Sequence, residues 1–212
     1  MTPNEICFLF TGGAGPRRCP VTPTGYLLAA DSGLDRLLAQ GLSPHAVLGD
    51  FDSLTTPPPP GAQVFPKEKD DTDTLLCIRH ALERGLRRLM IYGGFGGRED
   101  HTFANYSALA WAAGQGATVC MCGPRQAVFA LAHTTLGPLP KGTFGVFAFP
   151  DPAQVTIADA QYPYRGTLQP QIPIGVSNFS YGQARVQAHD GALLVFCPSR
   201  PTTLLKLLEE LT

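Results

Sequence analysis

Residues 89–113 read LMIYGGFGGREDHTFANYSALAWAA. Residues 89–92 are a short apolar run that suits a buried strand, and Gly93-Gly94 breaks it. Beyond Gly96-Gly97-Arg98, residues 100–113 fit a helix. A strand, a glycine turn and a helix in that order make one unit of a parallel sheet, because the helix carries the chain back to begin the next strand alongside.

The same alternation extends to both sides. Residues 6–10 form an apolar run that stops at Thr11-Gly12-Gly13-Ala14-Gly15-Pro16. Residues 26–30 form another, followed by Asp31-Ser32-Gly33 and by Leu34, Leu37 and Leu38 at helical spacing, with Gly41 as a stop. Residues 46–49 end at Asp50, and residues 63–65 follow the four-proline connector 57–60. A helix opens at Asp71 or Asp73, carries Leu75, Ile78 and Leu82 on one stripe and ends near Gly85. Residues 117–122 add a further strand. This pattern predicts a mostly parallel α/β sheet over residues 1–125. From about residue 126 short strands at 144–149, 154–158, 184–188 and 193–197 are separated by Pro, Gly and Asp, with a helix only at 202–211. The expectation for 126–212 is a small β-sandwich or partial barrel forming a second domain.

Composition narrows the class. The chain has 212 residues, 44% hydrophobic and 16% charged, with a formal net charge of −1. Such a balance offers no electrostatic footprint for nucleic acid or for a membrane surface. The opening residues MTPNEICFLF lack a basic leader segment, and no apolar run approaches the ~18 residues of a membrane span, so a cytoplasmic protein is expected. Its six cysteines include no CxxC pair; buried free thiols are expected, including at Cys120-x-Cys122.

Chemistry concentrates in three segments. In Gly49-Asp50-Phe51-Asp52-Ser53 two carboxylates follow a strand, at the sheet edge where ligands gather. Lys67-Glu68-Lys69-Asp70-Asp71-Thr72-Asp73-Thr74 places three aspartates within four positions. A helix cap explains one of them; the rest repel one another unless a cation sits among them, and hard oxygen donors suit Mg²⁺ shared with substrate phosphates. Lys67 and Lys69 are either phosphate ligands or solvated surface charges. In Gly93-Gly94-Phe95-Gly96-Gly97-Arg98-Glu99-Asp100-His101 the glycines let backbone amides approach a phosphate, and Arg98 adds a forked donor. Asp100 is a further carboxylate or a cap, and His101 a catalytic or a supporting group. The loop is neither a Walker A loop nor GxGxxG. Gly12-Gly13-Ala14-Gly15 reads equally as a phosphate-facing turn or a plain connection. Together these parts point to a nucleotide–Mg²⁺ site for phosphoryl chemistry.

The series Ala30-Asp31-Ser32-Gly33, Gly49-Asp50-Phe51-Asp52-Ser53, Asp70-Asp71-Thr72-Asp73 and Gly94-x-Gly96-Gly97-Arg98-x-Asp100-His101 resembles the ordered motifs of thiamine pyrophosphokinases. Gly175-Val176-Ser177-Asn178 is similar to that family's Ser-Asn motif in the C-terminal domain. The resemblance implies an N-terminal Rossmann-like ATP domain, a C-terminal β-sandwich that binds thiamine, and a homodimer whose active sites are shared between subunits. It implies Asp50, Asp52, Asp70, Asp71, Asp73 and Asp100 as metal and catalytic candidates, with Asp71 and Asp73 foremost for Mg²⁺. Arg98 would hold the polyphosphate, with Asp31, Lys67, Lys69, Thr72 and His101 around the nucleotide, and Ser177 with Asn178 would contact thiamine. Two other readings are a pyrophosphokinase for another alcohol, such as a hydroxymethyl pterin, and a nucleotide- or thiamine-binding regulator without catalysis.

Overall fold

Apolar runs with no polar alternation need cover on both faces, and that requirement builds the centre of the molecule. The structure, a computed structural model, describes residues 5–22, 24–51, 58–66, 68 and 70–211; Asp52, Lys67 and Lys69 lie outside them. Strand β1 (Ile6–Phe10) is buried at every position. Its period of two sends Ile6, Phe8 and Phe10 to one core and Cys7 and Leu9 to the other.

Five more strands run parallel with it: β2 (Tyr26–Ala30), β3 (Ala46–Gly49), β4 (Gln63–Val64), β5 (Arg88–Tyr92) and β6 (Thr118–Cys122). Their spatial order is β4-β3-β2-β1-β5-β6. Helices α2 (Asp73–Glu83) and α3 (Glu99–Gly114) cover one face through Ile78, Leu82, Leu109 and Ala112. Helix α1 (Gly33–Leu38) and the C-terminal α4 (Pro201–Glu210) cover the other through Leu34, Leu37, Leu204 and Leu208.

After β6 the pairing turns antiparallel. The remaining strands are β7 (Gln126–Ala132), β8 (Thr135–Leu136), β9 (Gly142–Ala148), β10 (Ala153–Ala160), β11 (Tyr164–Leu168), β12 (Asn178–Asp190) and β13 (Ala192–Pro198). Ladders run without a break through β6-β7-β13-β9-β12-β10-β11, so the thirteen strands among the described residues form one hydrogen-bonded sheet, with β8 paired to β12. Strand β12 joins β9 at residues 178–180 and β10 along 185–190, and Val155, Ile157, Val186 and Ala188 share a core with Phe129, Leu131, Leu193 and Val195. The fold is therefore mixed α/β around one large sheet, and the change of pairing falls between residues 122 and 126.

Most elements appear where the sequence suggests them, and the differences have local causes. Helix α2 opens at Asp73 because Thr72 is the cap: its Oγ1 accepts from the Leu75 amide at 3.2 Å. The sequence reading missed β7, whose AVFAL core has no alternation because residues 127–131 are all buried. It also missed β8 and β11, a two-residue and a largely polar five-residue strand. All six cysteines are buried and free, and the Cys120 and Cys122 sulfurs lie 3.7 Å apart on one face of β6. Among the described residues no helix is long and apolar enough to cross a membrane.

One property of this order positions the site. The chain leaves β1 toward β2 on one side and leaves β5 toward β6 on the other, although β1 and β5 are neighbours. Connections that diverge from adjacent parallel strands open a crevice at their carboxyl ends, where α/β sheets bind ligands.

Candidate active site

A cleft of about 520 Å³ lies at that crevice. Thr11, Gly12 and Gly13 enter it from the end of β1, Asp31 and Ser32 from β2, and Asp50 from β3. The segment before α2 supplies Asp70, Asp71, Thr72 and Asp73, and the turn after β5 supplies Gly94 and Gly96. His101 and Asn105 reach it from α3. Apart from Asp70 and Asp71, which precede the cap of α2, the lining comes from just beyond strands' carboxyl ends and from helices' caps and first turns.

The glycines are required by space. A Cβ on Gly13 would stand 2.7 Å from the Gly94 amide nitrogen, so the turns after β1 and β5 touch backbone to backbone. Gly94 and Gly96 also have φ of +85° and +71°, which side chains other than glycine rarely adopt. Asn105 holds the second turn by donating from Nδ2 to the Gly94 carbonyl at 2.9 Å. Sequence reasoning passed over Asn105; its signal is a single amide in the alanine-rich run of α3, four residues after His101.

Two non-glycine residues beside the cleft take the left-handed conformation, Asp31 at φ 47° and Phe51 at φ 61°. The strain at Asp31 is offset by two backbone bonds, its amide to Leu48 at 2.9 Å and its carbonyl from the Leu34 amide at 3.0 Å. Such conformations cluster where a side chain must be aimed.

Charge is one-sided. The cleft is walled by Asp31, Asp50, Asp70, Asp71 and Asp73, and its described lining contains neither Lys nor Arg. Asp71 accepts from Arg79 Nε at 2.9 Å, and the Arg79 guanidinium lies 4.6 Å over the Trp111 ring. Arg98 and Asp100 sit outside the lining and pair with each other as a fork, Nε to Oδ1 at 3.1 Å and a second guanidinium nitrogen to Oδ2. That pairing raises the pKa of Arg98 and holds the Asp100 carboxyl below the usual carboxylate range. Asp100 Oδ1 also accepts the His101 amide at 3.0 Å.

The structure thus gathers Asp31, Asp50, Asp70, Asp71, Thr72, Asp73 and His101 at one cleft, and leaves Arg98 and Asp100 outside its lining at the start of α3. Ser177 and Asn178 do not line it. Ser177 is exposed and left-handed at φ 60°. Asn178 is buried and spends its amide on Tyr162: Oδ1 accepts the Tyr162 amide at 3.0 Å and Nδ2 donates to its carbonyl at 2.7 Å.

The donor set is one that hard cations favour, carboxylate oxygens with no sulfur or imidazole cage. Among the described residues no three His, Cys, Asp or Glu side chains come together as a ready cage. Mg²⁺ is commonly held through one or two carboxylates plus substrate phosphates and retains waters, which is compatible with this open arrangement.

Comparison with known proteins agrees with these features. Residues 21–121 match the family model described as thiamin pyrophosphokinase, catalytic domain. A thiamine pyrophosphokinase of Bacillus subtilis (strain 168) is 34% identical over 108 residues, which cover 45% of this chain and 50% of that protein. The chain therefore spans about half the length of the curated relative it matches. The fold resembles crystal structures of thiamine pyrophosphokinases from B. subtilis (TM-score 0.77, 20% identity, 92% of this chain and 99% of that one) and Geobacillus thermodenitrificans (0.74, 22%, 92% and 98%). It also resembles that of Candida albicans, with a TM-score of 0.67 and 14% identity over 93% of this chain and 90% of that one. Residues 21–121, which contain every aspartate of the cleft, are the part of the chain that is similar to the thiamin pyrophosphokinase catalytic domain.

Proposed function

We propose that this chain transfers the pyrophosphoryl group of ATP to the hydroxyl of thiamine, yielding thiamine diphosphate and AMP. One observation carries the reading: two touching glycine turns and five aspartates share one cleft at the carboxyl ends of parallel strands, largely within a segment that matches a thiamin pyrophosphokinase catalytic domain. Bare backbone at a turn lets amides meet phosphate oxygens. An aspartate wall does the opposite unless a divalent cation joins wall to phosphate. Asp50, Asp70, Asp71 and Asp73 are the residues that would hold Mg²⁺, which when bound neutralises polyphosphate charge.

The residues divide the remaining work. The thiamine hydroxyl oxygen forms a bond to the β-phosphorus as the bond from that phosphorus to the α,β-bridging oxygen breaks, and AMP leaves with the bridging oxygen. A cleft aspartate accepts the hydroxyl proton. Arg98 exchanges its fork with Asp100 for phosphate oxygens, with bidentate geometry in both states. His101 and Thr72 border the same space and orient the nucleotide. The acidic wall also suits the cationic thiazolium. Lys67 and Lys69 remain candidates for phosphate oxygens and Asp52 for the metal.

Residues 1–125 would then serve as a Rossmann-like ATP and Mg²⁺ unit, and 126–212 as a sandwich that carries thiamine and the dimer contact. Ser177 would be the thiamine-facing group, with Asn178 holding its frame through Tyr162. The proposed assembly is a cytoplasmic homodimer with shared sites.

The test is AMP release from ATP and Mg²⁺ with thiamine, with a hydroxymethyl pterin, and with no acceptor. AMP formed with thiamine alone is the expected result. AMP formed only with the pterin would replace the acceptor, and nucleotide binding without AMP from either would make the chain a non-catalytic binder.

A further inference from the structure

We propose that Arg36 is a positioning residue for the nucleotide, a latch that locks the first glycine turn against the second; this rests on the cleft being the ATP site. Gly12, Gly13 and Gly15 give the turn after β1 much backbone freedom to lose. A phosphate-binding floor must be ordered before the ligand arrives, or ligand binding has to order it. The structure orders one peptide unit at both ends. The Gly13 carbonyl accepts from the Arg36 guanidinium, and the amide on the other side of that peptide, Ala14 N–H, donates to the Phe95 carbonyl at 2.6 Å. Phe95 belongs to the second turn, so fixing this one peptide sets the two turns relative to each other.

Arg36 fits the role by position as well as by bonding. A Cβ on Gly15 would come within 1.6 Å of an Arg36 guanidinium nitrogen, so the guanidinium fills the space that a side chain there would need. Its helix is seated on the strand that carries the turn: a Cβ on Gly33 would stand 2.0 Å from the Phe10 carbonyl oxygen. Leu34 and Leu37 bury that helix independently of Arg36, so the latch is separable from the fold. Arg36 itself does not line the cleft; it acts through Gly13.

The experiment compares wild type with Arg36→Ala, Arg36→Lys and Gly15→Ala, using turnover and, separately, titration of a non-hydrolysable ATP analogue with Mg²⁺. Loss of one charge-assisted hydrogen bond predicts a rise in the KM for ATP and in the analogue's Kd of about 10- to 100-fold for Arg36→Ala. The KM for thiamine and kcat at saturating ATP should stay within about threefold, since only the floor's preorganisation is lost. Arg36→Lys, which keeps a donor, should recover part of the affinity. Gly15→Ala should weaken ATP binding in wild type and do so less in the Arg36→Ala background, the non-additivity of two changes at one contact. A general loss of structure would instead lower thermal stability and both KM values together. Wild type that binds the analogue while Arg36→Ala binds it equally well overturns the latch; wild type that binds no nucleotide overturns the underlying site reading instead. Should Arg36→Ala fail to fold, unchanged ATP affinity in both Arg36→Lys and Gly15→Ala overturns the proposal.

Discussion

Asp73 begins α2, yet Thr72 is the residue that caps it. Removing the Asp73 charge therefore leaves the cap intact, and the helix-dipole interaction it gives up is worth about 1 kcal/mol or less. Asp73→Asn should melt within a few degrees of wild type while AMP release falls by orders of magnitude and the Mg²⁺ requirement rises; near-normal turnover at ordinary Mg²⁺ would remove Asp73 from the site. Arg98 makes a two-point fork with Asp100 that lysine cannot copy. Because the pair is exposed, Arg98→Lys should fold normally, and on the proposed reading it should lose much of the rate. A lysine variant that matches wild type would make Arg98 a surface charge. Asn178 predicts a different kind of loss. Its amide satisfies the Tyr162 backbone on both sides from a buried position, so Asn178→Ala should cost about 1–3 kcal/mol by urea unfolding and leave ATP affinity unchanged.

At the scale of the element, α2 joins the cleft to the opposite edge of the sheet. Its first turn carries Asp73, and near its other end the His80 ring accepts from Arg84 Nε at 2.9 Å and lies 3.1 Å from the Tyr26 hydroxyl. Burial, and after it the Arg84 charge, lower the His80 pKa, against a smaller opposing pull from Glu83. A lowered folded-state pKa means that the unfolded chain binds the proton first. The stability from neutral His80 is thus complete above the unfolded value of about 6.5 and is lost as pH falls through that value to the folded one. Thermal melts between pH 7.5 and 5 should show wild type losing more stability than His80→Asn; equal slopes would mean His80 titrates alike in both states. Helix α4 tests the other face. Leu208 is wholly buried there, and Arg88 donates to the Glu209 and Leu211 carbonyls at the helix end. Leu208→Ala should cost about 2–5 kcal/mol without a direct effect on the KM for ATP.

Across the whole molecule, the aspartate-walled cleft lies in the parallel part of the sheet, and Ser177 lies next to β12 in the antiparallel part, outside the cleft lining. The proposed dimer would bring one subunit's cleft to the other subunit's Ser177. Two inactive variants, Asp73→Asn and Ser177→Trp, then complement each other: a mixed dimer gathers both lesions in one site and leaves the second intact. Free reassortment makes about half of the dimers mixed, so roughly a quarter of wild-type activity should return, by the arithmetic of a two-fold assembly. Co-expression under separate affinity tags and assay of the doubly tagged species measures this. Folded, ATP-binding mixed dimers without activity would mean that each chain completes its own site.

Local order was legible from sequence because it is written in short-range chemistry. The wholly apolar runs at 6–10, 26–30 and 89–92 announce strands buried on two faces, and glycine marks the turns that follow. The crowding of Asp70, Asp71 and Asp73 beyond what one cap needs marked a segment that lines the cleft. The strand order β4-β3-β2-β1-β5-β6 is a different kind of fact. It arises from which apolar faces find each other across long stretches of chain, and it alone makes β1 and β5 neighbours and sets Gly13 against Gly94. For that reason the turn 12–15 had two equal readings in one dimension, and in three its Gly12 and Gly13 line the cleft. Asn105 and Arg36 stayed silent in sequence because their partners, Gly94 and Gly13, lie 11 and 23 positions away. The forked pairing of Arg98 with Asp100 and the use of Asn178 on Tyr162 were likewise decided by the fold, since a side chain's role depends on which backbone comes within hydrogen-bond reach of it.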